Sequence, residues 1–154
     1  MLAGQRVLYL WYVSSCFGNS GSQPLERLAE YKALVDCAKQ AAEAAYAPYS
    51  KTAQGAALLS ADGKIFKGSK MECAAFGGAV GAETAALTAA ISEGVRKFKA
   101  IAIHPSAYPS GASRQMLAEF GINLDVVVEK ADGRLEVINL KELLPLHFGP
   151  DNLS

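Results

Sequence analysis

A chain of 154 residues, 51% of them hydrophobic, is long enough for one domain with a sizeable core and too apolar to be disordered. Fifteen basic and fifteen acidic residues cancel, which leaves no electrostatic footprint for nucleic acid or an anionic membrane. The three cysteines, Cys16, Cys37 and Cys73, show no CxxC or metal-ligand spacing and suit a reducing, cytoplasmic compartment in which cysteine is a small buried hydrophobe.

Residues 1–22 read as an N-terminal extension ahead of a single domain over 23–154. The apolar run Val7–Val13, with Arg6 before it and Ser14-Ser15-Cys16 after it, has two readings. One is a short signal peptide with a loose lipoprotein-type box. The other, favoured by the free cysteines, is an arm or strand that packs on the domain or on a neighbouring subunit. The run is too short to span a bilayer.

Ser22-Gln23-Pro24 signals a helix start, and Leu25, Leu28, Ala29, Leu34, Val35, Ala38, Ala41, Ala42 and Ala45 form its stripe until Pro48 stops it. Ala56–Leu59 is a short apolar strand, Ala61-Asp62-Gly63-Lys64 a hairpin turn, and Ile65–Gly68 the returning strand. A second helix is expected over Gly78–Glu93, a buried strand over Phe98–Ile103, and a third helix over Ala112–Phe120 with Gly121 as its stop. Leu124–Val128 and Leu135–Ile138 are strands around the turn Ala131–Arg134, and Leu140–Leu144 makes one helical turn. This order predicts an α/β domain, a mixed sheet with helices on its faces.

Two stretches carry more than structure. Phe76–Gly94 (FGGAVGAETAALTAAISEG) passes from glycines through Gly81-Ala82-Glu83-Thr84 into an Ala-rich helix, and Tyr108-Pro109-Ser110-Gly111-Ala112-Ser113-Arg114-Gln115 is another turn that opens a helix. Together they resemble the signature of the zinc-dependent cytidine deaminases: a metal ligand two residues before a glutamate, and later Pro-Cys-x-x-Cys. Further matches fall in order along roughly residues 25–152, among them Tyr46-Ala47-Pro48-Tyr49-Ser50-Lys51, Asp62-Gly63-x-Ile65-Phe66-x-Gly68, and Phe148-Gly149-Pro150. The resemblance implies a three-layer α/β/α fold with a five-stranded mixed sheet. It also implies a homo-oligomer, tetramer or dimer, whose pockets are lined by more than one subunit.

The resemblance also implies where a metal would sit, and there the sequence departs from the family. The three ligand positions read Gly81, Ser110 and Ser113. Glycine has no donor, and hydroxyls are weak, rarely ionised zinc ligands. The family's arginine after the glutamate reads Thr84; without thiolates to offset, a buried arginine would be an unpaired cation. The base-stacking phenylalanine reads Thr52, Gln54 stands where an apolar residue is usual, and in the ribose-binding Asn-x-Glu pair Glu72 remains but the asparagine is Lys70. Phe76 replaces a tyrosine and Phe148 is kept.

The candidate catalytic residues are Glu83 and Lys70. Glu83 reads as a general acid/base or as a first-turn glutamate that satisfies backbone donors. Lys70 reads as an anion-holding or nucleophilic amine, or as a surface lysine paired with Glu72. Candidate ligand-binding residues are Thr52, Gln54, Glu72, Phe76, Gly81, Ser110, Ser113 and Phe148; Ser110 and Ser113 read equally as helix caps or as an anion site. His104 and His147 are possible proton carriers, or simply loop residues. The expectation is a protein with neither metal nor cofactor. Its first reading is a zinc-independent enzyme acting at Glu83 on a small molecule other than cytidine. A non-catalytic binding or assembly module, and residual cytidine deaminase activity, are the alternatives.

Overall fold

The computed structural model describes residues 24–75 and 77–153, so the expected N-terminal arm and Phe76 lie outside the described residues. In chain order the elements are α1 (Pro24–Glu43), β1 (Gly55–Ser60), β2 (Ile65–Ser69), α2 (Ala82–Ser92), β3 (Phe98–His104), α3 (Gly111–Ala118), β4 (Asp125–Glu129), β5 (Leu135–Asn139), α4 (Leu140–Leu143) and a 3-10 turn at Pro150–Asn152. The strands form one mixed sheet in the order β2-β1-β3-β4-β5. The β3–β4 pair is parallel and the other three pairs are antiparallel. The parallel pair needs a crossover, which α3 supplies.

Strand alternation divides the core between the two faces of the sheet. Ala57, Leu59, Ala100, Ala102 and Val127 meet Tyr31, Leu34, Val35 and Ala38 of α1. Ala56, Leu58, Phe66, Ile101, Ile103, Val126 and Val128 face the other way, onto Ala82, Ala86 and Ala90 of α2 and Leu117 and Ala118 of α3. The result is the expected α/β/α sandwich. Among the described residues no helix is long and apolar enough to cross a membrane.

Two glycines set how closely the helices approach. A Cβ at position 55 would collide with the Ala38 carbonyl oxygen and the Ala42 amide nitrogen of α1. A Cβ at position 68 would collide with the Ala82 carbonyl oxygen and the Ala86 amide nitrogen of α2. Helix backbone therefore rests directly on strand backbone on each side of the hairpin, and the small alanines beside these points complete the fit.

Several boundaries differ from the sequence expectation. The second helix starts at Ala82, not Gly78, because Val80 is committed to an antiparallel bridge with Met71: each amide donates to the other's carbonyl, at 2.9 and 2.8 Å. The first helix stops at Glu43, and Tyr46 then bridges in parallel to Met71. On α1 the expected stripe residues Leu25 and Ala29 are exposed, whereas Tyr31 is buried. The Tyr31 hydroxyl donates to Asp125 Oδ2 at 2.6 Å, Arg27 donates to the same oxygen, and Asn139 donates to Asp125 Oδ1 at 3.2 Å. Burial and the Asp125 carboxylate both push the Tyr31 hydroxyl well above the usual tyrosine range. The cysteines are less buried than their composition suggests: Cys37 is half-buried and Cys73 is exposed, while Cys16 lies outside the described residues.

Gly68→Ala should destabilise the protein by about 1–3 kcal/mol or more through overpacking. Gly111→Ala should be neutral or slightly stabilising, because no atom of the described residues lies within 4 Å of a Cβ there; urea midpoints of the two variants make the comparison. Asp125→Ala removes the acceptor that Arg27, Tyr31 and Asn139 share and should cost about 3 kcal/mol, with Asp125→Asn recovering part of the loss in the same titration.

Candidate functional site

Where α2 and α3 begin, a cleft of about 450 Å³ opens on the α2/α3 face of the sheet. Its polar groups come from Gln54, Glu83, Thr84, Ser110 and Ser113, with Gly81 between them; Ala79, Val80, Tyr108, Ala112 and Met116 supply the apolar side.

Glu83 is the second residue of α2 and is 4% exposed, so the seating of α2 on Gly68 decides where its carboxyl lies. Burial pushes this carboxyl above the usual range, partly offset by its own backbone N–H. Gly81 is the N-cap of α2, in extended conformation and without a side-chain cap. A Cβ at position 81 would stand 3.1 Å from Glu83 Oε2 and 4.0 Å from both Ser113 Oγ and Thr84 Oγ1. The Ser110 and Ser113 hydroxyls are 3.1 Å apart. Positions 81, 110 and 113, separated in sequence, thus converge beside one buried carboxyl. Ser110 also caps α3, accepting the Ser113 amide at 3.2 Å. Among the described residues, no three His, Cys, Asp or Glu side chains cluster as a metal would require.

Of the sequence-derived candidates, Gln54, Gly81, Glu83, Ser110 and Ser113 meet in the cleft, and Lys70, Glu72, Thr52 and Phe148 stand outside its lining. Lys70 and Glu72 form a neighbouring cluster, joined to the cleft through the Lys70 amide, which donates to the Gln54 carbonyl at 2.9 Å. Lys70 Nζ lies 2.8 Å from Glu72 Oε1 and donates to Ser50 Oγ at 3.0 Å and the Thr52 carbonyl at 3.2 Å. Glu72 accepts the Tyr49 and Ser50 amides at 2.9 and 3.1 Å, and the Ser50 hydroxyl. Lys70 and the Ser50 hydroxyl hold its carboxyl down to about 2. This cluster fastens the 47–52 turn, in which Lys51 adopts φ +58, a strained value for a non-glycine residue. Thr52 is exposed and donates its amide to Ser50 Oγ at 3.1 Å. The Phe148 ring is 57% exposed, and its carbonyl accepts from Gln115 Nε2 at 2.8 Å. His104 and His147 are half-buried and also stand outside the lining.

Sequence reasoning missed Tyr108 as a site residue. Its ring lines the cleft, while its hydroxyl donates to Glu136 and accepts from Lys130 Nζ at 3.0 Å. The available signal was an aromatic residue directly before the Pro109-Ser110 helix start.

Comparison with known proteins fits this geometry. Residues 12–103 match the family described as cytidine and deoxycytidylate deaminase zinc-binding region. The chain is 40% identical to a cytidine deaminase of Sporosarcina psychrophila over 126 residues, 79% of this chain and 93% of that protein. Its fold is similar to the crystal structure of cytidine deaminase from Burkholderia pseudomallei, with TM-score 0.71, 42% identity, and 76% and 98% of the two chains covered. It is also similar to that of Mycobacterium tuberculosis cytidine deaminase, with TM-score 0.69, 35% identity, and 77% and 97% covered. The sheet order, the paired helix starts and these likenesses together show that the chain belongs to the cytidine and deoxycytidylate deaminase family.

Proposed function

We propose that this chain is a zinc-independent member of its family, using Glu83 for acid/base chemistry on a small molecule other than cytidine. The observation that carries the proposal is the convergence of Gly81, Ser110 and Ser113 beside Glu83. The place where the family's signature puts a metal is intact as a place, but its residues offer one missing side chain and two neutral hydroxyls. This donor set does not fit zinc, which takes thiolate, imidazole or carboxylate.

Glu83 can still move protons. Its carboxyl is buried, opens on the cleft, and is biased toward the protonated form. As carboxylate it would take a proton from an acidic C–H or N–H of the ligand, the electron pair of that bond passing into the adjoining carbonyl or imine. As acid it would return the proton at the other end of the conjugated unit. The sum is an isomerisation that needs no further reactant. The Thr84 and Ser113 hydroxyls are placed to steady the charge that develops on oxygen. Lys70 plays no part in this scheme, since its ammonium is paired with Glu72 and stands outside the lining.

A binding module without turnover is the second reading. It is favoured by a lining that, among the described residues, holds Glu83 but no histidine, lysine or cysteine. Assembly as a homodimer or homotetramer, with neither nucleic-acid nor membrane partner, belongs to both readings. The neighbouring exposed residues Tyr46 and Met71 and the zero net charge support it.

Metal analysis tests the core of the proposal. The purified chain should hold well under one zinc per protomer and leave cytidine unchanged. The Gly81→Cys/Ser110→Cys/Ser113→Cys variant should take up about one zinc with thiolate charge-transfer absorption after cobalt exchange. Stoichiometric zinc in the unsubstituted chain, together with conversion of cytidine to uridine, would overturn it.

The raised Glu83 carboxyl also has a sign in stability. Below the unfolded-state value the group is protonated in both states and costs nothing. As pH rises past that value the unfolded chain ionises first, so stability falls until the folded-state value is reached. Glu83→Gln should therefore melt higher than the unsubstituted chain at pH 7, with the gap closing below about pH 4. A gap that does not depend on pH would show that the carboxyl is not held in the buried, biased form.

A further inference from the structure

We infer that Tyr108 is the stacking wall of the cleft, clamped from behind by Lys130 and Glu136, and that it selects an uncharged planar ligand with a polar edge turned toward Glu83. The inference deepens the proposed function and rests on the cleft being the ligand site.

Three observations carry it. The first is that the Tyr108 ring is held in place. Its hydroxyl donates to the Glu136 carboxylate and accepts from Lys130 Nζ at 3.0 Å; Lys130 and Glu136 are themselves paired at 2.5 Å. Lys130 Nζ also stands 5.1 Å from the centre of the ring. The ring packs against the core, and the next residue, Pro109, is fully buried. An aromatic ring fixed at its polar tip, with an apolar body lining a cleft, is organised for stacking before any ligand arrives.

The second is the arrangement of polarity with depth. Glu83 and Ser113 are 4% and 5% exposed, Gln54 and Thr84 are half-buried, and Ala79, Ala112 and Met116 lie toward solvent together with Ser110. A ligand that fills the cleft meets hydrogen-bonding groups at its inner end and Tyr108, Val80 and Met116 along its body. Methionine is a favourable neighbour for a flat aromatic surface.

The third is charge. Among the described residues no lysine, arginine or histidine lines the cleft, and a carboxyl forms part of its floor. The nearby cations Lys70 and Lys130 are engaged by Glu72 and Glu136. A carboxylate or phosphate ligand would find no countercharge, which sets aside the anion site that Ser110 and Ser113 suggested. Glu83, Ser113 and Thr84 can each donate or accept, so an adjacent donor–acceptor pair such as a cyclic amide suits them.

Ligand titration of the full chain followed by NMR tests the inference with three probes. 2-Pyridone is planar and carries an amide edge; 2-piperidone has the same edge without planarity; benzoate is planar and anionic. In the unsubstituted protein 2-pyridone should bind about two- to tenfold more tightly than 2-piperidone, the range expected of a stacking contact. It should also bind more tightly than benzoate, and should shift the Tyr108 ring protons. Tyr108→Leu should bring the pyridone-to-piperidone ratio close to one, and Tyr108→Phe should keep most of it. Glu136→Ala, which frees the hydroxyl, should lower it partway.

A ratio unchanged in Tyr108→Leu, or Tyr108 ring protons that do not move in the unsubstituted protein, overturns the stacking role. An unchanged ratio in Glu136→Ala overturns the clamp. Tighter binding of benzoate, or binding of none of the three probes, overturns the ligand class. Glu83→Gln should weaken both amides while preserving their ratio. That result separates the wall from the floor, and the zinc analysis decides the proposed function independently of all three probes.

Discussion

Helix α2 can lie on β2 only because position 68 has no side chain, and the site inherits its geometry from that contact. The Ala82 carbonyl and the Ala86 amide sit where a Cβ would be. This fixes the first turn of α2 against the sheet and leaves Glu83 pressed into the interior beside the opening of α3. The Val80–Met71 bridge sets the point at which the chain enters the helix, so Gly81 is held in extended conformation immediately before it. The position of the buried carboxyl is a result of backbone packing rather than of any hydrogen bond that the carboxyl makes to another side chain.

That distinguishes Glu83 from the other partly buried acids. Asp125 accepts from Tyr31, Arg27 and Asn139 and ties α1 to the β4–β5 edge. Glu129 accepts from Lys32 at 2.8 Å and is paired with Lys39. Glu72 organises the 47–52 turn, and Glu136 holds Tyr108. Each has donors that repay its desolvation, and the last three have their carboxyls held low by those donors. Glu83 meets its own backbone N–H and the cleft. Its burial is therefore a cost to folding that no side-chain donor offsets.

How much of this was legible in the sequence varies with the range of the interaction. The hairpin and helix stops were legible, because Gly63, Gly94, Gly121 and Gly133 take positive φ values that other residues avoid. The Lys70–Glu72 pairing was legible as a two-residue spacing. The start of α2 was not, since the periodicity of Gly78–Val80 cannot reveal that Val80 is claimed by Met71. Nor was the Tyr31–Asp125 contact, whose partners are 94 residues apart. Tyr108 was overlooked for a related reason: the residues that make it a wall, Lys130 and Glu136, come from just past the end of β4 and from β5, and its own position carries no motif. Convergence of Gly81, Ser110 and Ser113 was legible only through family resemblance, because their spacing alone points equally to two ordinary helix caps.

Those caps bear on how the domain holds together. A metal bound by the starts of two helices is also a cross-link between them, and removing such a link ordinarily loosens a fold. Here α3 is fastened by contacts that need no ion. Ser110 accepts the Ser113 amide, which satisfies a donor that the helix start would otherwise leave free. Arg114 donates to the Pro109 carbonyl and to the Leu143 carbonyl, each at 2.8 Å, anchoring the first turn both to its own approach and to α4. Gln115 reaches the Phe148 carbonyl. Leu117 and Ala118 bury the inner face of the helix against the sheet. Serine at position 110 thus does for α3 what a hydroxyl does well, capping, at a place where it would do poorly as a metal donor. The Ser110 cap and the Arg114 contacts thus give the start of α3 a local restraint of its own beside Glu83.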